Sequence, residues 1–210
     1  MAQAITIPVA CSENALVAAV NLANSTPTSD TLVLAGGCTY GITTNHGGAA
    51  NALPVITTPI EMTGPATVTN ASLPGLGMFR IAEVGPTGNL TLTTAVAFTH
   101  GNVLGNGGGI LNRVAVTLTG STLSVTGVSG SPLFVTGNTA GRGGGISAVN
   151  STATTLTQTA ITDNHALLLL GNSGGVYRQG GTMTTTNAPI TANTPDNCVG
   201  SVPAVPNCTG

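Results

Sequence analysis

Single aliphatic residues flanked by polar β-branched residues recur along the chain. A Thr-aliphatic-Thr triplet occurs at 67–69, 91–93, 117–119, 155–157 and 182–184. Alternation with a period of two places the aliphatic side chain on one side of a strand and both threonines on the other. The pattern therefore predicts β-strands that bury one side and expose the other.

Two further motifs occur between the triplets. A glycine cluster followed by an aliphatic residue occurs at 107–110, 143–146 and 174–176, and an aliphatic-Thr-x-Asn step occurs at 135–138, 161–164 and 190–193. The three motifs follow one another in a fixed cyclic order, which indicates a chain that coils back onto the same three faces. We therefore predict an all-β fold, a right-handed parallel β-helix of about seven coils.

The same motifs predict details inside each coil. Glycines supply corners that need a positive φ, and the amides of Asn138, Asn164 and Asn193 can bond to the next coil as an internal ladder. The longest interval between triplets ends at Thr155 and contains residues 124–134. We interpret residues 124–134 as a protruding loop or an added half-turn.

The two ends of the chain differ from the middle. Residues 12–24 place Leu16, Val20 and Ala23 at helical spacing after Ser12, a suitable N-cap, and predict a short capping helix. A helix here covers the open end of the core. We expect one domain, 1–210, with coils over 31–194 and a proline-containing tail over 195–210.

The four cysteines fall as two local pairs, one at each end. Although four cysteines allow three connectivities, this placement favours Cys11 with Cys38 and Cys198 with Cys208. Disulfides at the ends of a rod indicate an oxidising compartment, so we expect a secreted or cell-surface protein. Free thiols in a cytosolic protein are the alternative. Residues 1–6 lack the basic and apolar segments of a signal peptide.

The composition limits the core and the partners. Aromatic residues make up only 2% of the chain against 41% hydrophobic residues, so the core must consist of small aliphatics. Charged residues make up 5%, and the net charge is -2 without any lysine. Nucleic acids and anionic membranes are therefore excluded as partners. The longest aliphatic run is too short to span a bilayer, so no membrane span is expected.

Several stretches together resemble a known class of exported proteins. These stretches are 5–12, the alanine-rich segment after it, 30–40, and the Gly-Gly-Gly-Ile repeats. They resemble bacterial exported right-handed β-helix repeat proteins of the polymorphic outer membrane protein type, within the pectate-lyase-like superfold, over most of the chain. The resemblance implies the β-helix fold, and it carries no catalytic residue that maps onto this sequence.

Few side chains could support catalysis. The six acidic residues are scattered over different coils, which disfavours a calcium-dependent lyase site and a pair of glycosidase carboxylates. The weak catalytic candidates are Asp163 and His165, two apart on a strand, with His100 near the same face. The histidines are isolated from one another and from the cysteines, so neither a metal nor a cofactor is expected.

The surface itself is the most distinctive candidate site. Stacked triplets would give a grid of hydroxyls and methyls. The candidate binding residues are Thr91, Thr93, Thr117, Thr119, Thr155, Thr157, Thr182 and Thr184, with Arg113, Arg142 and Arg178 as a sparse anion-binding edge.

These features leave three hypotheses. The first is a structural or binding module that presents a neutral Thr/Asn/Gly-rich surface to glycans or cell-envelope components. The second is a carbohydrate-active enzyme, a lyase, hydrolase or epimerase, with its site under residues 124–134. The third is an ice-binding protein that uses the threonine grid, as ice-binding β-solenoids do.

Overall fold

The structure is a computed structural model that describes residues 3–73, 77–113, 122–126, 133–167 and 173–210. In chain order the elements are β1 (Thr6–Val9), α1 (Glu13–Asn24), β2 (Asp30–Leu34), β3 (Thr39–Ile42), β4 (Pro59–Thr63), β5 (Ala66–Asn70), β6 (Ala82–Val84), β7 (Asn89–Thr93), β8 (Val96–Thr99), β9 (Ile110–Arg113), β10 (Thr122–Thr126), β11 (Leu133–Thr136), β12 (Thr139–Ala140), β13 (Ile146–Val149), β14 (Ala153–Thr157), β15 (Thr159–Thr162), β16 (His165–Ala166), β17 (Val176–Gln179), β18 (Thr182–Thr186) and β19 (Ile190–Thr191).

Strands that are distant in the chain lie side by side. Sheet 1 has the order β1-β2-β4-β7-β10-β14-β18, and sheet 2 has the order β3-β5-β8-β11-β15-β19. Sheet 3 has the order β6-β9-β13-β17, and β12 pairs with β16. Every pairing between the described strands is parallel. The chain therefore winds through three sheets in turn as a parallel β-solenoid, which confirms the predicted fold class.

The number of turns is smaller than the expected seven. Within the described residues, strands of all three sheets follow one another from β4 to β6, from β7 to β9, from β10 to β13 and from β14 to β17. These are about four complete turns. The difference arises at the ends, where α1 follows β1 directly and where β18 and β19 precede an irregular tail.

The core consists of stacked small aliphatics, as the composition predicts. Leu32, Met62 and Leu92 lie one above the other on adjacent strands of sheet 1, and all three are buried. Two large rings, Tyr40 and Phe98, are fully buried on either side of Val68 in sheet 2. The hydroxyl of Tyr40 donates to the Val9 carbonyl at 2.9 Å, so even this ring has a partner for its polar atom.

The predicted asparagine ladder is present and buried. Nδ2 of Asn138 donates to Oδ1 of Asn164 at 3.0 Å, and Nδ2 of Asn164 donates to Oδ1 of Asn193 at 2.9 Å. Asn193 continues the series to Oδ1 of Asn197 at 3.1 Å. Each Nδ2 of the three ladder residues also donates to a backbone carbonyl one level above. The ladder therefore satisfies polar backbone groups at a buried corner.

The glycine clusters lie at a corner, but most of them are required for a reason other than φ. A positive φ occurs at Gly107 and Gly143. Gly108 and Gly144 instead stack on the next level, where a Cβ on Gly108 would lie 2.5 Å from the Gly144 carbonyl oxygen. Close backbone stacking, in addition to corner geometry, therefore explains the repeated glycines.

The predicted capping helix is present. Helix α1 begins after the N-cap Ser12, whose Oγ accepts the Ala15 N–H at 3.2 Å. Its buried face consists of Leu16, Ala19, Val20 and Ala23. The Cys11–Cys38 disulfide joins the residue before the helix to the start of the second coil, as predicted.

Each end of the solenoid is also covered at its strand edge. Pro8, in the edge strand β1, has no N–H to offer to a further strand. At the other end, the Pro206 carbonyl accepts the Thr185 hydroxyl at 2.7 Å, and the predicted Cys198–Cys208 disulfide closes the tail. No helix in the described residues has the length and apolar run needed to cross a bilayer.

The interpretation of residues 124–134 as a protruding segment is wrong at both ends. Thr122–Thr126 forms β10 and continues sheet 1 between β7 and β14. Leu133–Thr136 forms β11 and continues sheet 2 between β8 and β15. Residues 127–132, between these strands, lie outside the described residues. The ends of the segment are thus part of the coil because their alternation continues the two sheets in register.

Candidate functional site

A column of hydroxyl-bearing residues runs along sheet 1. In register, Thr91 pairs with Ser124, Ser124 with Thr155, and Thr155 with Thr184. A second column contains Thr93, Thr126, Thr157 and Thr186, since Leu92 pairs with Val125 and Thr157 pairs with both Thr126 and Thr186. We call these eight positions the threonine face.

The threonine face is accessible and neutral. Thr91, Thr93, Thr155 and Thr157 are half-buried, and Thr184 and Thr186 are exposed. Adjacent strands are about 4.8 Å apart, and alternate residues along a strand are about 6.7 Å apart. No charged residue occupies a position of this face on the described strands. Hydroxyl-bearing residues therefore occupy positions that repeat in two dimensions over four strands, and the six of them on β7, β14 and β18 are at least partly accessible.

One carboxylate marks the N-terminal limit of the face. Glu61 occupies the same column one strand earlier, in register with Thr91. It accepts the hydroxyl of Thr93 at 3.0 Å and the hydroxyl of Thr31 at 3.5 Å. Glu61 therefore ties three levels of sheet 1 together, and the uncharged array starts at β7.

The sequence placed most, but not all, of this face. Thr182 begins β18, and its hydroxyl donates to the Thr152 carbonyl at 2.5 Å. The triplet 67–69 lies on β5 in sheet 2 and so does not belong to the array. Thr117 and Thr119 lie outside the described residues, and the strand between β7 and β14 is β10. The Thr-x-Ser-x-Thr alternation of residues 122–126 is the sequence pattern that could have assigned this strand to sheet 1.

A second threonine column, which the sequence analysis missed, lies on sheet 2. Its members are in register on five successive strands: Thr69, Thr99, Thr136, Thr162 and Thr191. Three of them are the threonines of the aliphatic-Thr-x-Asn steps. This column could therefore have been predicted from the sequence, because the residue two positions before each ladder asparagine lies on the same side of the strand in every coil.

The catalytic candidates are exposed but separate. Because Thr136 pairs with both Thr99 and Thr162, the next residues, His100, Gly137 and Asp163, follow one another at the corner. His100 and Asp163 are thus two strand spacings, about 10 Å, apart. His165 lies on β16 and pairs with Thr139 of β12. The three residues share one edge of the rod without forming a hydrogen-bonded group among the described residues.

The carboxylates of Glu13, Asp30 and Glu83 have structural partners. Burial opposes ionisation of Glu13, but hydrogen bonds from His46, Thr43 and Thr44 outweigh it and lower the pKa of Glu13 to about 2. Burial also opposes ionisation of Asp30, and the bonds from Thr26, Ile5 and Thr28 again lower its pKa. Glu13 and Asp30 are therefore ionised at neutral pH, which makes them poor general acids.

Glu83 is the centre of a buried ionic cluster. Its carboxylate oxygens accept hydrogen bonds from Nη1 of Arg80 at 3.1 Å, from Nη2 of Arg113 at 2.7 Å and from Nδ2 of Asn51 at 3.0 Å. Arg80 also donates to Oδ1 of Asn51. Desolvation lowers the pKa of Arg80, the charge of Glu83 raises it, and Arg113 lowers it. Arg80 and Glu83 are buried, whereas the Arg113 side chain is 56% exposed, so the one carboxylate pairs with a buried cation and with a second cation that reaches solvent.

The predicted arginine edge is not one surface. Arg113 pairs with Glu83, whereas the Arg142 guanidinium lies over the Tyr177 ring, 5.6 Å from its centroid. Arg178 is buried and donates to the carbonyls of Gly180, Gly181 and Ala204 at 3.3, 2.5 and 3.0 Å. These arginines therefore have different neighbours and different roles, because Arg178 closes the C-terminal end of the core.

Among the described residues, no group of three or more His, Cys, Asp or Glu side chains could hold a metal ion. No protein-family model and no curated protein matches the sequence.

Proposed function

We propose that the protein is a non-catalytic binding module that uses the threonine face to hold a neutral polysaccharide surface outside the cell. The observation that carries the proposal is the in-register array of hydroxyls and methyls on β7, β10, β14 and β18. A flat ligand that repeats its own hydroxyls can form many weak hydrogen bonds to such an array at once.

The charge and the disulfides support the same proposal. The face has no charged position, so it fits a neutral glycan better than an anionic one. The two disulfides are typical of an oxidising compartment, and they support a secreted or cell-surface location. We include in this proposal the resemblance to exported repeat proteins of the polymorphic outer membrane protein type, with which the solenoid fold is consistent.

An enzyme is the weaker hypothesis for this chain. Glu13, Asp30 and Glu83 are held by structural hydrogen bonds, and Asp196 accepts the Val199 N–H at 2.7 Å. In the register of sheet 2, the positions beside Asp163 are Gly137 and Ala192, neither of which is a carboxylate. A glycosidase needs two carboxyl groups about 5 to 10 Å apart.

The test is co-sedimentation with insoluble neutral polysaccharides such as cellulose, chitin and insoluble β-1,3-glucan. The variant Thr155→Lys/Thr184→Lys places two charges in the centre of the face. We expect it to lose at least roughly tenfold in affinity for the polysaccharide that retains the wild type. The control is Thr209→Lys, since Thr209 is exposed in the tail outside every strand, and it should bind like the wild type.

Two results would overturn the proposal. One is equal binding by the double variant and the Thr209 control, because the threonine face would then not be the contact surface. The other is release of soluble sugars from any of the polysaccharides by the purified wild type, because a binding module without catalysis releases none.

Ice is a second candidate ligand of the same face. Each threonine supplies one methyl and one hydroxyl, and the strand spacing repeats them in two dimensions. Thermal hysteresis of the wild type, lost in Thr155→Lys/Thr184→Lys and kept in Thr209→Lys, would favour ice over a polysaccharide. Hysteresis that is absent in the wild type removes this candidate.

A further inference from the structure

A second exposed surface, on sheet 2, has a different composition from the threonine face. Phe134 is exposed to 41%, whereas the other aromatic side chains, Tyr40, Phe79, Phe98 and Tyr177, are exposed to 7% or less. The two tyrosines and three phenylalanines of the sequence are all among the described residues. Phe134 is therefore the single phenylalanine or tyrosine ring that the protein presents to solvent.

The neighbours of Phe134 leave its ring open. In register, Phe134 pairs with Ala97 on one side and with Ala160 on the other. Both neighbours end at Cβ, so neither covers the ring. The ring is therefore an apolar surface in contact with water, and contact with an apolar surface of a ligand would be favourable.

Hydroxyls border the ring on one side. Two residues further along each strand lie Thr99, Thr136 and Thr162, about 6.7 Å from the column that contains Phe134. Thr136 and Thr162 are half-buried, and Thr99 is buried. Each hydroxyl can donate one hydrogen bond and accept two. An apolar ring and a row of hydroxyls therefore lie side by side over three strands.

The corner beyond these threonines carries two polar residues, one on each side of a glycine. Gly137 lies between His100 and Asp163 in the register of sheet 2. A Cβ at Gly137 would be 3.7 Å from Nε2 of His100, so this ring leans over the glycine. Nδ1 of His100 is 3.3 Å from the Thr69 hydroxyl, which fixes the ring. Nε2 of His100 and the exposed residue Asp163 thus lie on either side of a residue without a side chain.

We infer that this surface is a second binding site, which takes a single chain of a soluble neutral saccharide, with one sugar ring on Phe134. The apolar C–H face of a pyranose packs on the aromatic ring, and hydroxyls of this sugar and of its neighbours along the chain bond to Thr136, His100 and Asp163. The ligand must be apolar over one ring and hydroxylated at its edge, which excludes a purely apolar peptide. The inference shares only the ligand class with the proposed function, because it uses another sheet and another form of the polysaccharide.

Affinity gel electrophoresis tests the site with soluble hydroxyethylcellulose, xylan, galactomannan and β-1,3-glucan as the probes. For the probe that retards the wild type, we expect Phe134→Ala to lose roughly tenfold in affinity and Phe134→Tyr to keep it. Asp163→Asn and His100→Ala should each lose a few-fold, roughly two to five. The control is Leu104→Ala, which removes an apolar side chain exposed to 68% that is not on sheet 2.

The outcomes separate this site from the threonine face. The inference is overturned if Phe134→Ala migrates like Leu104→Ala in a gel that retards the wild type, or if no probe retards the wild type. The variant Thr155→Lys/Thr184→Lys should be retarded like the wild type, although it fails to co-sediment with insoluble polysaccharide. Two independent sites are identified if Thr155→Lys/Thr184→Lys loses co-sedimentation but is still retarded in the gel, and if Phe134→Ala still co-sediments but is no longer retarded.

Discussion

Oδ1 of Asn164 accepts two hydrogen bonds from Asn138, one from its Nδ2 at 3.0 Å and one from its backbone N–H at 3.1 Å. The same relationship joins Asn164 to Asn193 one level further on, at 2.9 and 3.0 Å. One side-chain oxygen thus accepts the hydrogen bonds of two N–H groups at a corner where no strand pairing supplies a backbone acceptor. The stacking of coils is therefore specified here by a side chain as well as by the backbone.

Removing the middle amide of the ladder should destabilise the solenoid. In Asn164→Ala, the buried backbone N–H of Asn138 loses its partner, while Nδ2 of Asn138 and Oδ1 of Asn193 each lose one of two partners. An unsatisfied buried polar group costs about 1 to 3 kcal/mol. We expect a loss of about 3 kcal/mol in the free energy of unfolding, measured with urea. Asn45→Ala removes an exposed amide bonded to the Gly48 carbonyl and should cost under about 1 kcal/mol. Equal losses would show that the ladder adds no stability.

Close stacking of the glycine corner predicts a large effect of a single methyl group. A Cβ on Gly144 would lie 2.5 Å from the His165 carbonyl oxygen and 2.6 Å from that of Gly174. Since the contacted atoms are backbone, the coils must separate, and we expect Gly144→Ala to cost at least about 3 kcal/mol. At Gly36 the nearest atom is 3.8 Å away, so Gly36→Ala should change stability by under about 1 kcal/mol. A thermal melt of both variants decides, and similar melting temperatures would contradict the stacking argument.

The sequence was sufficient for the fold because each coil repeats the same local chemistry. The cyclic order of motifs predicted the parallel solenoid, the spacing after Ser12 predicted α1, and the asparagine steps predicted the ladder. The predicted number of coils was too high because each motif indicates one strand only, whereas a complete turn needs a strand in each of the three sheets. Tertiary pairing, which no local motif contains, decides that difference.

The candidate surfaces were predictable only where register follows from the motif itself. Thr155 and Thr184 belong to similar triplets and do lie in one column. The triplet at 67–69 looks the same in sequence, yet it lies on β5 in sheet 2, since the local pattern does not say which face a strand occupies. Phe134 was missed as a surface residue because its neighbours Ala97 and Ala160 are known only from the pairing of strands.

Protonation of Glu13 should loosen the capping helix in acid. Its carboxylate lies 2.8 Å from Nε2 of His46 and accepts the Thr43 hydroxyl at 2.7 Å. These bonds lower the pKa of Glu13 from 4.5 to about 2 in the folded protein. Because the folded pKa is below the unfolded one, the stabilisation is complete above pH 4.5 and is lost as the pH falls from there towards 2.

Comparison with Glu13→Gln isolates this contribution from that of Asp30, whose pKa is also lowered. Urea unfolding at pH 6 and at pH 3 should show a smaller loss of stability on acidification in Glu13→Gln than in the wild type. The two proteins should become alike as the pH approaches 2. An identical pH dependence of both proteins would mean that the Glu13–His46 contact does not persist in solution.

The two disulfides should differ in what they contribute, because they close loops of different length. Cys11 and Cys38 are separated by 27 positions and Cys198 and Cys208 by 10. Loop closure in the unfolded chain predicts about 3.5 kcal/mol for the first and about 2.7 kcal/mol for the second. Each cysteine pair is replaced by two alanines in a double variant. Alanine is chosen over serine because a serine hydroxyl would be placed at the buried positions of Cys38 and Cys198. We expect Cys11→Ala/Cys38→Ala to have the lower free energy of unfolding in urea. A reversed order would mean that the tail, which covers Arg178 and Thr185 at the end of the core, depends on its disulfide for native contacts more than the helix does.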